Sequence, residues 1–444
     1  MPRIKNFINI KKRWNATGGY SEFLKISIHL VISTGAWAFQ AFVDKIFLSW
    51  YSNEAYAASL PSELLNSSIT EIFLGTVAYI DVFISQYNGK KEYKSIGPAV
   101  WQSVYIAFFS SLIILIFAFF SKDIFYFIGH SQDILADEIK YFEVLCYGAF
   151  PYLASTAMSG FYAGRGETKI ILLANIAGII VNIIFDYFLI FGNFGFPKLG
   201  IEGAAIESNL GSIIVFILFL FLLISKKNHT LYNTRKLSLD VTLIKRMIKF
   251  GFPNGVHMFL DLSIFTFFVL IIGTLGKFAL SATNVVMNIY SLTYMPLVGF
   301  GMTVSILAGN YLGKNKASIV QVSVKSATQI TCLYILLMVL AFLFIPDILI
   351  YPFSKGSGAL IIEQIKPTIM VLLRLIAIFA FFESASIVFS SAIKGAGDTS
   401  FVMKLLLALF ILAAIPMYLT VALFKMGLYT CWSILIIYGT VPTV

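Results

Sequence analysis

Residues 168–192, TKIILLANIAGIIVNIIFDYFLIFG, decide the fold. The run exceeds the roughly 20 apolar residues that a helix needs to cross a bilayer, and past its first two residues Asn175, Asn182 and Asp186 stand out as its strongly polar side chains. At 100° per residue those three share one stripe of a helix. A carboxylate facing lipid at mid-bilayer costs roughly 2.5 to 3.5 kcal/mol even on a lenient insertion scale. Asp186 must therefore meet water, another polar group or an ion, so this stretch reads as a membrane helix with one wet face.

The rest of the chain repeats the pattern. Of 444 residues 59% are hydrophobic and 12% charged, about half the roughly 25% charge of soluble domains, and the mean hydropathy is +0.87. Apolar segments run near 24–49, 60–86, 96–120, 134–158, 168–192 and 203–225, then near 244–273, 280–308, 318–345, 361–391, 400–423 and 427–444. The expected fold is an all-α polytopic membrane protein of twelve transmembrane helices in two six-helix lobes. Its parts are a cytoplasmic tail over 1–20, a first lobe over 21–225, a cytoplasmic linker over 226–243 and a second lobe over 244–444, with a short last helix.

Lys and Arg exceed Asp and Glu by 32 to 22, and in a membrane protein their placement sets orientation because basic loops stay cytoplasmic. With the N-terminus inside, 22 of the 32 lie in inside segments, among them Arg3, Lys5, Lys11, Lys12, Arg13 and the linker group Lys226, Lys227, Arg235 and Lys236. Seven lie outside, including Lys140, Lys198, Lys355, Lys366 and Lys425. The expected location is a bacterial inner membrane with a cytoplasmic N-terminus. No cleaved signal peptide is read, because the first apolar run is long and lacks a small-residue cleavage site. Nucleic acid is not an expected partner.

Two motifs recur at nearly one offset. Ser85-Gln86-Tyr87-Asn88-Gly89-Lys90 returns in the second half as Gly309-Asn310-Tyr311-Leu312-Gly313-Lys314, and Gly164-Arg165-Gly166-Glu167-Thr168 returns as Gly395-Ala396-Gly397-Asp398-Thr399. Gly-rich turns do recur by chance, but two at matching points of each half point to a parallel internal repeat, a transporter architecture.

Acids fall inside the spans at Asp44, Glu63, Glu71, Asp81, Asp186, Glu207, Asp261 and Glu383. The second span puts Glu63, Asn66, Ser67, Thr70 and Asp81 on one stripe. The first carries Ser33, Gln40 and Asp44, the seventh Asn254, His257 and Asp261, the eighth Asn284, Asn288 and Ser291, and the tenth Glu383, Ser386 and Ser390. For isolated Ser and Thr the simpler reading is interhelical hydrogen bonding, worth about 0.6 kcal/mol each. For Asp44, Asn182, Asp186, Asp261 and Glu383 a functional role is expected, because burying an ionisable group costs more than such a bond returns. Asp186 with Asn182 one turn earlier suits a hard monovalent cation or an exchangeable proton, and the residue types leave both open.

Other chemistries lack their residues. Cys146, Cys332 and Cys431 each lie in apolar runs, so neither a disulfide framework nor a thiolate metal cluster is expected. No spacing suits a transition metal. The turn Gly160 to Thr168 lacks the Gly-Lys-Ser/Thr ending of a phosphate loop, and no hydrolase motif appears. The residues alone give a secondary transporter, not an enzyme, with no cofactor and with a polar, aromatic-rich cavity suited to a flat or cationic amphiphile.

The segments Ser159 to Lys169, Asn182 to Gly192 and Gly200-Ile201-Glu202-Gly203-Ala204-Ala205-Ile206 resemble the multidrug and toxic compound extrusion (MATE) family. So do Gly251-Phe252-Pro253-Asn254-Gly255 leading to Asp261, and Lys394 to Thr399. The resemblance spans nearly the whole chain. It implies export of organic cations, drugs or toxic metabolites in exchange for sodium or protons; a monomer is expected. By the same resemblance Asp44, Asn182, Asp186 and Ser208 form the coupling-cation site, with sodium at Asp44, Asn182 and Asp186 as one occupant. Asp261 stands for the family's seventh-helix Glu and Glu383 for its tenth-helix Asp. Gln40, Glu63, Asn66, Asp81, His257, Asp261, Asn284, Asn288 and Glu383 are expected along the substrate cavity. Two alternatives are a flippase for lipid-linked saccharides, which would favour a cationic cavity, and an uncoupled channel or receptor.

Overall fold

The computed structural model describes residues 13–129, 132–354, 359–422, 424 and 426–440. Arg3, Lys5, Lys11, Lys12, Lys355, Lys425 and the last four residues of the expected final span lie outside them. Among the described residues every long element is a helix, and ten are long and apolar enough to cross a membrane. These ten coincide with the expected spans one to three and five to eleven.

The first half comprises α1 (Tyr20–Tyr51), α2 (Asn53–Ala78), α3 (Ile80–Lys90), α4 (Tyr93–Phe119), α5 (Ser121–Ile128), α6 (Gln132–Tyr147), α7 (Ala149–Ala163), α8 (Thr168–Phe191) and α9 (Ile201–Leu223). Then come α10 (Lys226–Tyr232), α11 (Val241–Gly273), α12 (Lys277–Gly313), α13 (Ala317–Phe344), α14 (Pro346–Ile350), α15 (Ala359–Ala396), α16 (Thr399–Ala422) and α17 (Leu428–Thr440). The last has 13 residues, about 20 Å at 1.5 Å per residue.

The fourth expected span is not one helix. Asn209 Nδ2 donates to the Val144 carbonyl at 2.6 Å, so the Gly148 N–H turns to Leu145 O at 3.1 Å and the i to i−4 ladder stops. A Cβ on Gly148 would overlap the Asn209 amide. An inserted side chain of this kind is a recognised cause of helix breaks. The stripe expected on the second span is interrupted in the same way. Asn254 Nδ2 donates to Gly75 O at 2.8 Å and Ser103 Oγ to Val77 O at 3.1 Å. The ladder is interrupted at Tyr79, between Thr70 and Asp81.

The chain forms two compact units, one of Ile32–Phe259 with Gly309–Asn315, the other of Met1–Val31, Leu260–Ala308 and Lys316–Val444. In the first, α8 and α9 are an antiparallel pair joined by a short turn. That turn starts at Gly192, whose φ of +74° suits glycine, and Leu199 N and Gly200 N close it onto Leu189 O and Ile190 O. The segment after α10 is tied to α4, where Trp101 Nε1 donates to Thr234 O and Gln102 both donates to Ser238 O and accepts from Asp240 N. In the second unit α13 and α17 both pack on α15.

The repeated glycines make equivalent contacts. A Cβ on Gly164 would lie 2.5 Å from Asp81 O, and one on Gly395 2.6 Å from Ser305 O, the position that answers to Asp81 in the second copy. Within the first unit Gly89 presses on Asn310 and Gly313 on Gln86, which are the same two positions exchanged between the copies. A Cβ on Gly75 would fall 2.6 Å from Gly255 Cα in the first unit, and one on Gly299 2.9 Å from Val31 N in the second. Gly75 and Gly299 occupy corresponding places in the two copies, and so do Val31 and Gly255. Chance turns would not share backbone contacts, so the recurrence is structural.

Candidate functional site

In the first unit α1, α8 and α9 bring Asp44, Asp186 and Glu207 together, one carboxylate oxygen from each lying within 4.8 Å of the others. The hairpin explains the meeting of the last two. Leu189 backs onto Gly203, Asn182 Cβ would lie 3.5 Å from a Cβ on Gly211, and Gly178 faces Gly211 and Val215. Each pair is equidistant from the turn, and that register sets Asp186 opposite Glu207.

Asp186 is fully buried, while Asn182 and Glu207 are 1% exposed. Ser208 Oγ donates to Glu207 Oε1 at 2.8 Å and fixes that carboxylate. Glu207 Oε2, Asp44 Oδ1 and both amide atoms of Asn182 are buried with no hydrogen-bond partner, although buried polar atoms are almost always satisfied. Gln40, one turn before Asp44, interacts with its carboxylate, and the Asp44 and Asp186 carboxyls face each other. Tyr141 is buried within electrostatic range of all three acids. Leu48, Ala55, Ala58, Tyr141, Ile190, Ile201, Ala204 and Ala205 form one apolar cluster. It lies one turn beyond each acid, toward the turn after α8. Such an oxygen-lined, largely buried group can hold a hard cation or protons, which balance its charge.

The other expected residues are dispersed. Glu63 pairs with Lys45 at 3.9 Å, both about two-fifths exposed. Asn66 Nδ2 lies 3.5 Å from Cys146 Sγ. Asp81 is half-buried after the Tyr79 break and His257 is buried. Asn284 and Asn288 sit on an exposed face of α12, where Asn288 Nδ2 donates back to Asn284 O at 2.8 Å. In the second unit Asp261 and Glu383 are electrostatic neighbours, with Lys394 acting on Asp261 and Tyr438 beside both acids. Glu383 Oε2 and the Tyr438 hydroxyl are buried without partners.

Glu207 is the member that sequence reasoning left out of the cation set. The signal was present: it stands seven residues after Gly200 as Asp186 stands six before Gly192, and a tight hairpin makes such positions face each other.

A chain from Photorhabdus laumondii described as a probable multidrug resistance protein NorM is 22% identical over 419 residues, 93% of this chain and 90% of its own. One of the same description from Bacillus cereus is 25% identical over 311 residues, 68% of each. Among solved structures, a multidrug resistance MATE family transporter of the MOP superfamily in an outward-facing conformation superposes with TM-score 0.87 at 18% identity, covering 98% of this chain and 95% of that one. A MOP superfamily transporter from Pyrococcus furiosus gives 0.85 at 18%, with 97% and 95% covered. At that identity the likeness shows the fold alone. The profile of the family described as MatE matches residues 32–188 and 253–419, well over half of the sequence, and on that match the chain belongs to the MatE family.

Proposed function

We propose that this protein is a secondary active antiporter that exports organic cations, drugs or toxic metabolites in exchange for sodium or protons by alternating access. The observation that carries the proposal is the buried meeting of Asp44 and Asp186 beside an Asn182 amide with no partner, inside helices of bilayer length. Family membership and relatives described as multidrug resistance proteins support the same reading. Asp44, Asn182, Asp186 and Ser208 bind the coupling ion. Gln40, Glu63, Asn66, Asp81, His257, Asp261, Asn284, Asn288 and Glu383 line the substrate path.

Coupling follows from charge balance. Uncompensated acids in a largely buried pocket hold the helices apart or draw in a cation, so an ion that binds one arrangement better shifts the population toward it. Substrate release and ion binding then oppose each other through the shared equilibrium, and the reciprocity is thermodynamic. The proposal includes two six-helix lobes over 21–225 and 244–444, with the broken α6–α7 pair and the short α17 completing twelve spans. It also includes a monomer in the bacterial inner membrane with its N-terminus cytoplasmic, as the loop charges imply.

The test is efflux of ethidium by the purified protein in proteoliposomes, with sodium and proton gradients imposed independently. Accumulation should follow one of the two gradients, and Asp186→Asn should abolish the dependence while the variant remains monodisperse. Movement of ethidium indifferent to both gradients, or a fully coupled Asp186→Asn, would overturn the reading.

A further inference from the structure

We infer that the cleft between α3, α4 and the segment leading into α11 binds the headgroup of an anionic phospholipid from the surrounding bilayer. The inference is independent of the acidic cluster and of the transport reading. A cavity of about 530 Å³ opens there within the first unit, and its lining includes Tyr87, Lys94, Lys236, Ser238, Asp240 and Arg246. That volume lies in the range of small-ligand sites. Three cations stand against one acid, and Asp240 Oδ1 accepts from Leu243 N at 2.9 Å as the cap of α11. The lining keeps an excess of positive charge, and basic pockets between membrane helices suit acidic lipid headgroups.

The cations are held in place with donors to spare. Lys94 Nζ donates to Thr230 O at 2.5 Å, which uses one of its three N–H bonds. The Arg246 guanidinium lies 5.4 Å from the centre of the Phe83 ring and within electrostatic range of Tyr87, both on α3. Among the described residues the side chains of Lys236 and Arg246 have neither an ion pair nor a hydrogen-bond acceptor. An arginine fork and two ammonium groups are the donor set that a phosphate diester oxygen accepts from.

The segment itself points to lipid rather than to a free phosphate ester. Lys236, Ser238 and Asp240 line the cavity, whereas Leu237, Leu239 and Val241 are each more than half exposed. That alternation turns polar side chains toward the cavity and leaves an aliphatic row on the outer surface beside it. Trp101 Nε1 donates to Thr234 O and the Tyr105 hydroxyl to Leu237 O, both at 2.7 Å. These anchors stand two to three turns along α4 from its start at Tyr93, and Trp and Tyr gather at headgroup depth in membrane proteins. A phospholipid uses both surfaces, with its phosphate among Lys94, Lys236 and Arg246 and its acyl chains over the aliphatic row. A free phosphate ester would leave that row bare to water, at a cost in exposed apolar area.

The experiment is native mass spectrometry of the full-length, delipidated protein in detergent, titrated with dioleoylphosphatidylglycerol or with dioleoylphosphatidylcholine. The anionic lipid should bind saturably, and about tenfold or more tightly than the zwitterionic one. Lys236→Gln combined with Arg246→Gln should weaken phosphatidylglycerol binding about 30-fold, since each cation near an anionic lipid contributes about fivefold, and leave phosphatidylcholine binding unchanged. Lys226→Gln combined with Lys227→Gln removes the same charge from α10, outside the cavity lining, and should keep the wild-type preference. Glycerol 3-phosphate in large excess separates the two sources of phosphate. It should leave the lipid bound, and displacement at concentrations comparable to the lipid would assign the cleft to a free ester and overturn the inference. Equal binding of the two lipids by the wild type, or an equal loss in both double variants, overturns it as well. The wild-type preference decides alone should the cavity variant fail to fold. Gradient-driven ethidium efflux with no lipid preference would strike this inference and leave the proposed transport standing.

Discussion

Replacing Gly75 by Ala tests whether the helix crossings are fixed by the internal repeat. A Cβ there would sit 2.6 Å from Gly255 Cα and 2.7 Å from Met258 Sδ, against the 3.4 Å at which ordinary contact begins. Helix α11 would have to retreat by about 0.8 Å from α2, because the nearer obstacle is backbone and cannot rotate away. Overpacking of this kind costs about 1 to 3 kcal/mol. Against it stands the roughly 0.8 to 1 kcal/mol that Ala gains over Gly in a helix interior. Gly35 on α1 isolates the two terms, since a Cβ there meets nothing within 4 Å and Gly35→Ala carries the propensity gain alone. The repeat supplies a second case in Gly299, where a Cβ would lie 2.9 Å from Val31 N. Apparent melting temperatures in detergent, read by size-exclusion recovery after heating, should place Gly75→Ala below Gly35→Ala by the equivalent of about 1 to 3 kcal/mol, with Gly299→Ala lower by less. Should all three variants melt together, the close backbone crossings would be wrong.

Two further outcomes follow from the first unit. Gln102→Ala removes both bonds that hold the linker at Ser238 and Asp240, so limited trypsin should cleave at Arg235 and Lys236 several-fold faster with no change in far-UV circular dichroism; unchanged cleavage would mean that Trp101 on Thr234 O and the Tyr105 hydroxyl, which donates to Leu237 O at 2.7 Å, hold the segment unaided. Lys45→Ala leaves stability within about 1 kcal/mol because the Glu63 pair is exposed, yet it removes a positive charge that acts on Asp44. Cation binding should strengthen a few-fold at low salt and the gain should fade as salt screens it, whereas weaker binding would contradict that placement of the ammonium.

Much of the architecture was legible because a bilayer imposes length and hydropathy on each helix. The ten long apolar helices fall where the apolar runs lie, and the recurring glycines mark backbone contacts that are equivalent between the copies. The stripe of Asn175, Asn182 and Asp186 was equally readable, since all three stand on one buried face of α8. Tertiary overrides were not. The break at Gly148 is fixed by Asn209 on another helix, and its local signals, Gly148 and Pro151, were passed over because the apolar run continues through them. Glu207 was visible as an intramembrane acid, but its meeting with Asp186 depends on the register of a hairpin rather than on either helix alone. Asn284 and Asn288 share a polar face as helical spacing requires, and that face is exposed.

The apolar cluster of Leu48, Ile190, Ala204 and their neighbours lies one turn beyond the acids, and its aliphatic side chains offer an ion no ligand on that side. If the acids hold an ion as proposed, that ion finds no further ligand among those aliphatic side chains. Under the proposed alternating access, an ion held there leaves only as the helices repack, and each repacking moves a counted charge. Under that proposal, macroscopic current should scale with the cycling rate and carry none of the flicker noise of an open pore.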